Sequence, residues 1–155
     1  MIQKKNLSKI YVTGIFLLLI IISLAAAIIY EKSKKEIKRI IRINLDTKVE
    51  EKLNWKFSTK NNFIDAKIGQ VYKIDFNVEN YSSKETSGKA IYEVNPNFFN
   101  KYFIEIDCFC YKKQTLLPSE KSIYSITFYI DPKILSDLKA NDIKDINISY
   151  TFLNT

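Results

Sequence analysis

Residues 124–130 read Tyr124-Ser125-Ile126-Thr127-Phe128-Tyr129-Ile130 and alternate strictly between two sets of side chains. Successive side chains of a β-strand point to opposite faces, so this run predicts a half-buried strand. The same period of two occurs in residues 72–78 and in residues 146–152. Three such runs, separated by turn-prone segments, are typical of antiparallel sheets with one apolar face.

Shorter strand candidates lie at residues 55–57, 89–94 and 103–111. Turn residues separate them, as at Asn95-Pro96-Asn97 and Leu117-Pro118-Ser119. About seven strands in roughly one hundred residues predict an all-β fold, an immunoglobulin-like β-sandwich. One short helix is expected at residues 132–139, with Ile134, Leu135 and Leu138 facing the core.

Residues 11–30 contain no charged side chain. As a helix they would span about 30 Å, the thickness of a bilayer core. A cleaved signal peptide is the alternative, because Ser23 and the alanines that follow it are small, but the apolar region of a signal peptide runs for only about 7 to 15 residues. We therefore predict an uncleaved, single transmembrane helix.

Four regions follow from this pattern: a short tail at residues 1–10, the transmembrane helix at 11–30, a basic juxtamembrane stalk at 31–50 and the β-domain at 51–155. Helical periodicity continues through residues 31–43, where Ile37, Ile40 and Ile41 share one face. An alternative assignment makes residues 40–44 the first strand, and the sequence leaves both open.

The net charge of +7 lies largely beside the apolar segment, where lipid headgroups account for it. No nucleic-acid recognition motif accompanies the charge, so we expect no nucleic-acid partner. The chain has no His and therefore no imidazole base, and its three glycines form no phosphate-binding loop. We expect neither enzymatic activity nor catalytic residues.

The two cysteines of the chain, Cys108 and Cys110, flank Phe109. On an extended strand both sulfurs would lie on one exposed face, with Cα atoms about 6.6 Å apart, and Phe109 would point the other way. Thiolates are soft ligands that select Cu(I) or zinc. Since the chain has no His and only Met1, it cannot supply a closed four-ligand zinc site alone, whereas two sulfurs suit Cu(I). Two chains could pool four sulfurs, which predicts a copper-bridged homodimer.

Other interpretations of this pair stay open. A disulfide at that separation would lie at the long edge of the usual range of about 6.8 Å. Such a pair could act as a thiol-disulfide redox factor toward a partner. Free cysteines can also be small buried hydrophobes within a structural interaction module.

The sequence around the pair resembles the CtaG family. These are membrane-anchored assembly factors that deliver copper to the CuB centre of the cytochrome c oxidase catalytic subunit. The resemblance is carried by residues 108–120 (Cys-Phe-Cys-Tyr followed by Gln-x-Leu), 128–132, 148–152, Trp55-Lys56-Phe57, Gly88 and 92–96. It implies the same immunoglobulin-like fold and a copper chaperone that holds Cu(I) on Cys108 and Cys110. It also implies two partners, the oxidase catalytic subunit and a copper donor protein.

The orientation of the helix is where charge and resemblance disagree. Three lysines precede the helix and six basic residues follow it, so the positive-inside rule favours a cytoplasmic C-terminus. The family implies the opposite, and large domains translocate despite flanking charge. We expect an inner-membrane protein with a cytoplasmic N-terminus and a periplasmic C-terminal domain, or the equivalent in the mitochondrial intermembrane space.

The chain departs from the family pattern at three points. Residues 31–53 contain no Cys, although the family typically has one just beyond the membrane. Tyr124-Ser125 stands where the family commonly has Met-Pro, and Lys113 stands where it usually has Glu. These differences leave Cys108 and Cys110 as the only soft ligands of the β-domain.

Overall fold

The computed structural model describes residues 2–36 and 39–155, and side chains at residues 11–32 and 39–155. The chain divides into two units, one ending at Lys38 and the other comprising Arg39–Thr155. The expectation for Ile37 lies outside the described residues.

A single helix, α1, occupies Ile2–Glu36 and so includes residues 2–10, which the sequence analysis assigned to a separate tail. Its segment Tyr11–Lys32 is, by length and composition, apolar enough to cross a membrane. Ser23, the polar side chain near its middle, donates its hydroxyl hydrogen bond to the carbonyl of Ile20, 2.8 Å away. This contact satisfies the hydroxyl within the helix. The helix agrees with the prediction of a single membrane-spanning segment.

The second unit is a sandwich of two sheets, and its described residues form nine strands. They are β1 Ile40–Val49, β2 Trp55–Thr59, β3 Phe63–Lys67, β4 Tyr72–Asn80, β5 Thr86–Asn95, β6 Phe103–Cys108, β7 Lys113–Leu116, β8 Lys121–Ile130 and β9 Asp145–Asn154. One sheet has the order β3-β1-β9-β5-β7 and the other has the order β2-β4-β8-β6. This architecture confirms the predicted immunoglobulin-like β-sandwich.

The three alternating runs form the central strands β4, β8 and β9, and their apolar sets face inward as predicted. Phe76, Phe128 and Phe152 are fully buried there. Strands β4 and β8 pair antiparallel through eight residue pairs, from Tyr72 with Phe128 to Glu79 with Lys121. Burying the apolar face of each sheet against the other supplies most of the stabilisation of such a fold.

The first strand begins at Ile40, so the strand assignment for residues 40–44 is confirmed and the helical continuation to residue 43 is wrong. Strand β1 pairs antiparallel with β3 and parallel with β9. Ile41 and Ile43 are fully buried, because the alternation of a strand turns both toward the second sheet. Residues 40–49 therefore belong to the sandwich, although they were expected in the stalk.

The segment expected to be one helix consists of two short 3₁₀ helices, Pro132–Ser136 and Leu138–Ala140. Asp137 separates them with an extended backbone conformation, and its side chain accepts a hydrogen bond from the backbone N–H of Lys139. Ile134 is buried as predicted, but the interruption turns Leu138 outward, where it is 83% exposed. The prediction that Leu138 faces the core is therefore wrong.

Candidate metal centre

A β-bulge in the edge strand β6 sets which side chains reach the cysteines. The pairing with β8 shifts register between Glu105, opposite Phe128, and Asp107, opposite Thr127. Ile106 is the extra residue and points outward, 55% exposed. Because the extra residue reverses the alternation, Glu105 and Cys108 lie on the same, inward face, whereas Asp107 is exposed.

Cys108 ends β6, and a 3₁₀ turn, Phe109–Tyr111, follows it. The backbone N–H of Cys110 donates to Cys108 Sγ at 3.1 Å. The turn shortens the distance between the two cysteine Cα atoms to 5.1 Å, and the two sulfurs are joined in a disulfide. The expected strand through residue 111, with its Cα spacing of about 6.6 Å, is therefore wrong.

Both cysteine side chains are buried, with Cys108 4% and Cys110 8% exposed. The prediction of two sulfurs exposed along a strand edge is thus wrong, although the prediction that they lie together is confirmed. The reason is topological, since the turn crosses from β6, at the edge of one sheet, to β7, at the edge of the other. A segment that crosses between the two sheets covers the open side of the core, so those of its side chains that point toward the core are buried.

Phe109, which was predicted to point to the face opposite the cysteines, is buried in the aromatic core. Its ring stacks on Tyr124, with centroids 5.7 Å apart, and on Phe152, with centroids 5.6 Å apart. Phe57 and Phe76 lie within 6.0 Å and 5.6 Å of the same ring. The residue between the cysteines therefore anchors the turn in the core, and the sulfurs take their position from it.

Two neighbouring contacts hold the outer side of the turn. The side-chain amide of Gln114 donates to the backbone carbonyl of Phe109 at 3.0 Å. The backbone N–H of Lys112 donates to the same carbonyl at 3.4 Å. Lys112 and Lys113 are exposed. The Gln of the family-like motif thus fixes the turn that carries Cys110.

Glu105 is the residue of this cluster that the sequence analysis did not select. Its Oε2 lies 3.9 Å from Cys110 Sγ. Its Oε1 accepts a hydrogen bond from the hydroxyl of Tyr150, 2.9 Å away. Glu105 follows the buried Phe103 by two residues, so the alternation of a strand indicates that its carboxylate also points inward. The bulge that turns Cys108 to the same face cannot be recognised in the sequence.

Burial raises the pKa of Glu105, and the hydrogen bonds of Tyr150 and Tyr92 oppose this change. Burial, together with the negative charge of Glu105, raises the pKa of Tyr92 to about 12. The same two causes raise the pKa of Tyr150. Both phenols therefore stay protonated at neutral pH and remain donors to the carboxylate.

Glu105, Cys108 and Cys110 together place one oxygen and two sulfur atoms within 4.8 Å of one another. Carboxylate oxygen and thiolate sulfur are metal ligands once the disulfide is reduced. Within residues 11–32 and 39–155, no other group of three or more acidic or cysteine side chains lies close enough together to share an ion.

Comparison with known families gives a match across most of the chain. Residues 22–154 match the family described as cytochrome c oxidase assembly protein CtaG/Cox11. The matched region takes in the whole β-sandwich and the second half of the apolar helix.

Individual relatives agree with the family match. A protein of Ehrlichia ruminantium (strain Gardel), named cytochrome c oxidase assembly protein CtaG, is 38% identical over 115 residues, which are 74% of this chain and 65% of the relative. Proteins of the same name from Bradyrhizobium diazoefficiens and Nitrobacter hamburgensis are 38% and 34% identical, over 75% and 77% of this chain and over 54% and 56% of the relatives. The chain spans less than two thirds of the length of each of these relatives.

Proposed function

Because this chain belongs to the CtaG/Cox11 family of cytochrome c oxidase assembly proteins, we propose that it is a copper chaperone that delivers Cu(I) to the CuB centre of the oxidase catalytic subunit. The observation that carries this proposal is the convergence of Cys108 and Cys110, the only two cysteines, at one crossing between the sheets. Cu(I) accepts two or three soft ligands, and two sulfurs leave a position open for an acceptor.

Loading begins with reduction of the disulfide. A dithiol reductant breaks the bond between Cys108 and Cys110, is itself oxidised to a disulfide, and leaves two thiols. Cu(I) from a donor protein then binds both sulfurs and displaces two protons. Release is ligand exchange onto the ligands of the acceptor, so the transfer requires no catalytic residue and the protein acts as a carrier rather than an enzyme.

The low exposure of the sulfurs has a consequence for transfer. An acceptor cannot reach Cys108 or Cys110 unless the turn Phe109–Tyr111 moves, because both side chains are buried. Tyr111, the last residue of the turn, is 57% exposed, and Ile106, in β6 just before Cys108, is 55% exposed. We expect the oxidase subunit to dock over them and displace the turn.

The membrane helix suits this role because the acceptor is itself a membrane protein. We propose that α1 is a single-pass anchor in the inner membrane, with its N-terminus in the cytoplasm. The β-sandwich then lies in the periplasm, or in the mitochondrial intermembrane space. With two sulfurs in each chain, we expect copper to bridge two copies, and light scattering should show the mass double when the reduced protein is loaded.

Copper binding is tested on the full chain in detergent, reduced and kept anaerobic, against a chromophoric Cu(I) chelator. The wild type should hold Cu(I) at about one ion per chain, or one per two chains if the ion is bridged. Cys108→Ser and Cys110→Ser should each lose it, whereas Asn77→Ala, an exposed position on β4, should not. Undiminished Cu(I) retention by both cysteine variants would contradict the proposal.

The disulfide itself favours a second candidate, a membrane-anchored thiol-disulfide redox factor. In that role the bond between Cys108 and Cys110 would accept two electrons and two protons from a partner dithiol and oxidise it to a disulfide. Equilibration with glutathione or dithiothreitol buffers separates the two candidates. Ready cycling in these buffers together with no Cu(I) affinity would favour the redox role.

A further inference from the structure

We propose that Glu105 is a third metal donor beside Cys108 and Cys110, and that it gives the reduced site affinity for a borderline divalent cation, Zn²⁺, in addition to Cu(I). This inference rests on the proposed function, since it concerns the metal choice of the same site. It assigns to Glu105 the role of a residue that sets metal specificity.

The spacing of the three donors fits a single ion. Zn²⁺ binds sulfur at about 2.3 Å and carboxylate oxygen at about 2.1 Å, so donors at two corners of a tetrahedron are about 3.6 to 3.8 Å apart. Glu105 Oε2 lies 3.9 Å from Cys110 Sγ, and all three donors lie within 4.8 Å of one another. Once reduction frees the sulfurs, small side-chain rotations bring these atoms around one ion.

Tyr150 prepares the carboxylate for this role. Its hydroxyl holds Oε1 at 2.9 Å and leaves Oε2 directed toward Cys110. Tyr150 is fully buried in the opposite sheet, so its ring cannot turn away. A ligating carboxylate that is held by an outer hydrogen bond loses little freedom on binding, and removing such outer partners typically lowers metal affinity about 10- to 100-fold.

Charge distinguishes the two ions. Two thiolates and the carboxylate carry three negative charges, of which Cu(I) neutralises one and Zn²⁺ neutralises two. The two cysteines are 4% and 8% exposed, and uncompensated charge is costly in a buried site. The lysines that follow the pair, Lys112 and Lys113, are exposed and face solvent. The complete donor set is thus better matched to a divalent ion.

Ligand softness acts in the same direction. A carboxylate is a hard donor that contributes to Zn²⁺ binding, whereas Cu(I) draws its affinity from the two sulfurs. Glu105 therefore strengthens the binding of Zn²⁺ more than that of Cu(I). The affinity of the site for Cu(I) then exceeds its affinity for Zn²⁺ by less than it would without Glu105. Three protein donors leave the fourth position of a tetrahedral zinc site open.

The test compares wild type, Glu105→Gln and Tyr150→Phe, as full chains in detergent, reduced and anaerobic. Zn²⁺ affinity is measured by competition with a chromophoric chelator, and Co²⁺ is used as a spectroscopic probe of coordination. Glu105→Gln should weaken Zn²⁺ binding at least about tenfold and reduce the intensity of the tetrahedral Co²⁺ bands, while Cu(I) affinity changes less than about threefold. Tyr150→Phe should also lower Zn²⁺ affinity, because it removes the donor to Oε1 and leaves only the phenol of Tyr92 to hold the carboxylate.

Circular dichroism and thermal unfolding of each variant show whether the sandwich is intact. Equal Zn²⁺ affinity in wild type and Glu105→Gln would overturn the inference, and so would a parallel loss of Zn²⁺ and Cu(I). A wild type that binds Zn²⁺ through Glu105 but does not retain Cu(I) would contradict the copper-carrier function while supporting the third donor. The two proposals therefore fail separately.

Discussion

Phe109, the residue between the two cysteines, stacks on Phe152 of β9, with ring centroids 5.6 Å apart and planes 27° from parallel. This contact joins the turn that carries the sulfurs to the C-terminal part of β9. The position of Cys108 and Cys110 thus depends on core packing as well as on their own bond.

Phe109→Ala should lower the free energy of unfolding by about 3 to 5 kcal/mol, because it leaves a cavity among five aromatic rings. Denaturant titration of the reduced full chain in detergent measures this change. Tyr111→Ala, at the exposed end of the same turn, serves as the control and should cost less than about 1 kcal/mol. Equal losses in the two variants would mean that the turn is not anchored through Phe109.

Asn80→Ala should also destabilise the sandwich, because Asn80 is a fully buried polar side chain. Its amide nitrogen donates to the carbonyls of Lys84, Leu116 and Leu117 at 3.0 to 3.1 Å, and its oxygen accepts from Ser82. Removing the amide deletes these buried hydrogen bonds, although the carbonyls of Lys84 and Leu117 keep Ser82 and Glu120 as donors, so we expect a loss of about 2 to 4 kcal/mol. Asn77→Ala, exposed on the same strand, should change the unfolding free energy by less than about 0.5 kcal/mol.

Gly88→Ala tests a close approach of two chain segments. An added Cβ would lie 2.7 Å from Leu53 Cδ2 and 3.2 Å from the carbonyl oxygen of Leu153. We expect a cost of about 1 to 3 kcal/mol, as for overpacking in other cores. Gly14→Ala in the helix meets nothing within 4 Å and should leave the melting temperature of the β-sandwich unchanged. An unchanged melting temperature in Gly88→Ala would show that Leu53 can move aside at little cost.

Asp137→Asn should lower the free energy of unfolding at neutral pH. In acid, its difference from the wild type should disappear. Hydrogen bonds from Tyr102, Lys101 and the backbone N–H of Lys139 lower the pKa of Asp137 to about 2. In the unfolded chain its pKa is about 3.9, so the ionised carboxylate stabilises the fold above that value, and this contribution is lost as the pH falls through about 2.

Melting temperatures of wild type and Asp137→Asn, measured between pH 6 and pH 2, check this dependence. The difference between them should be largest above pH 5 and should shrink steadily toward pH 2. Asp142→Asn, at an exposed position near the same segment, should show a small difference throughout. A difference for Asp137→Asn that stays constant with pH would contradict the assignment.

The sequence was sufficient where one local period decides the structure. The alternation in residues 72–78, 124–130 and 146–152 predicts β4, β8 and β9 and their buried faces, because a central strand must bury every second side chain. The uncharged residues 11–30 predict the apolar helix for a similar reason. Local periodicity failed at Leu138, where the Asp137 cap starts a new turn and rotates the side chain outward.

The residue pattern alone is therefore enough to predict the class of fold, the apolar helix and the closeness of the two sulfurs. The surroundings of those sulfurs depend on how the two sheets pack. The bulge at Ile106 turns Glu105 and Cys108 to one face, and the crossing from β6 to β7 buries Phe109. Glu105 and Tyr150 are 45 residues apart in the chain and come into contact because the two sheets pack face to face. No local sequence pattern encodes such a contact.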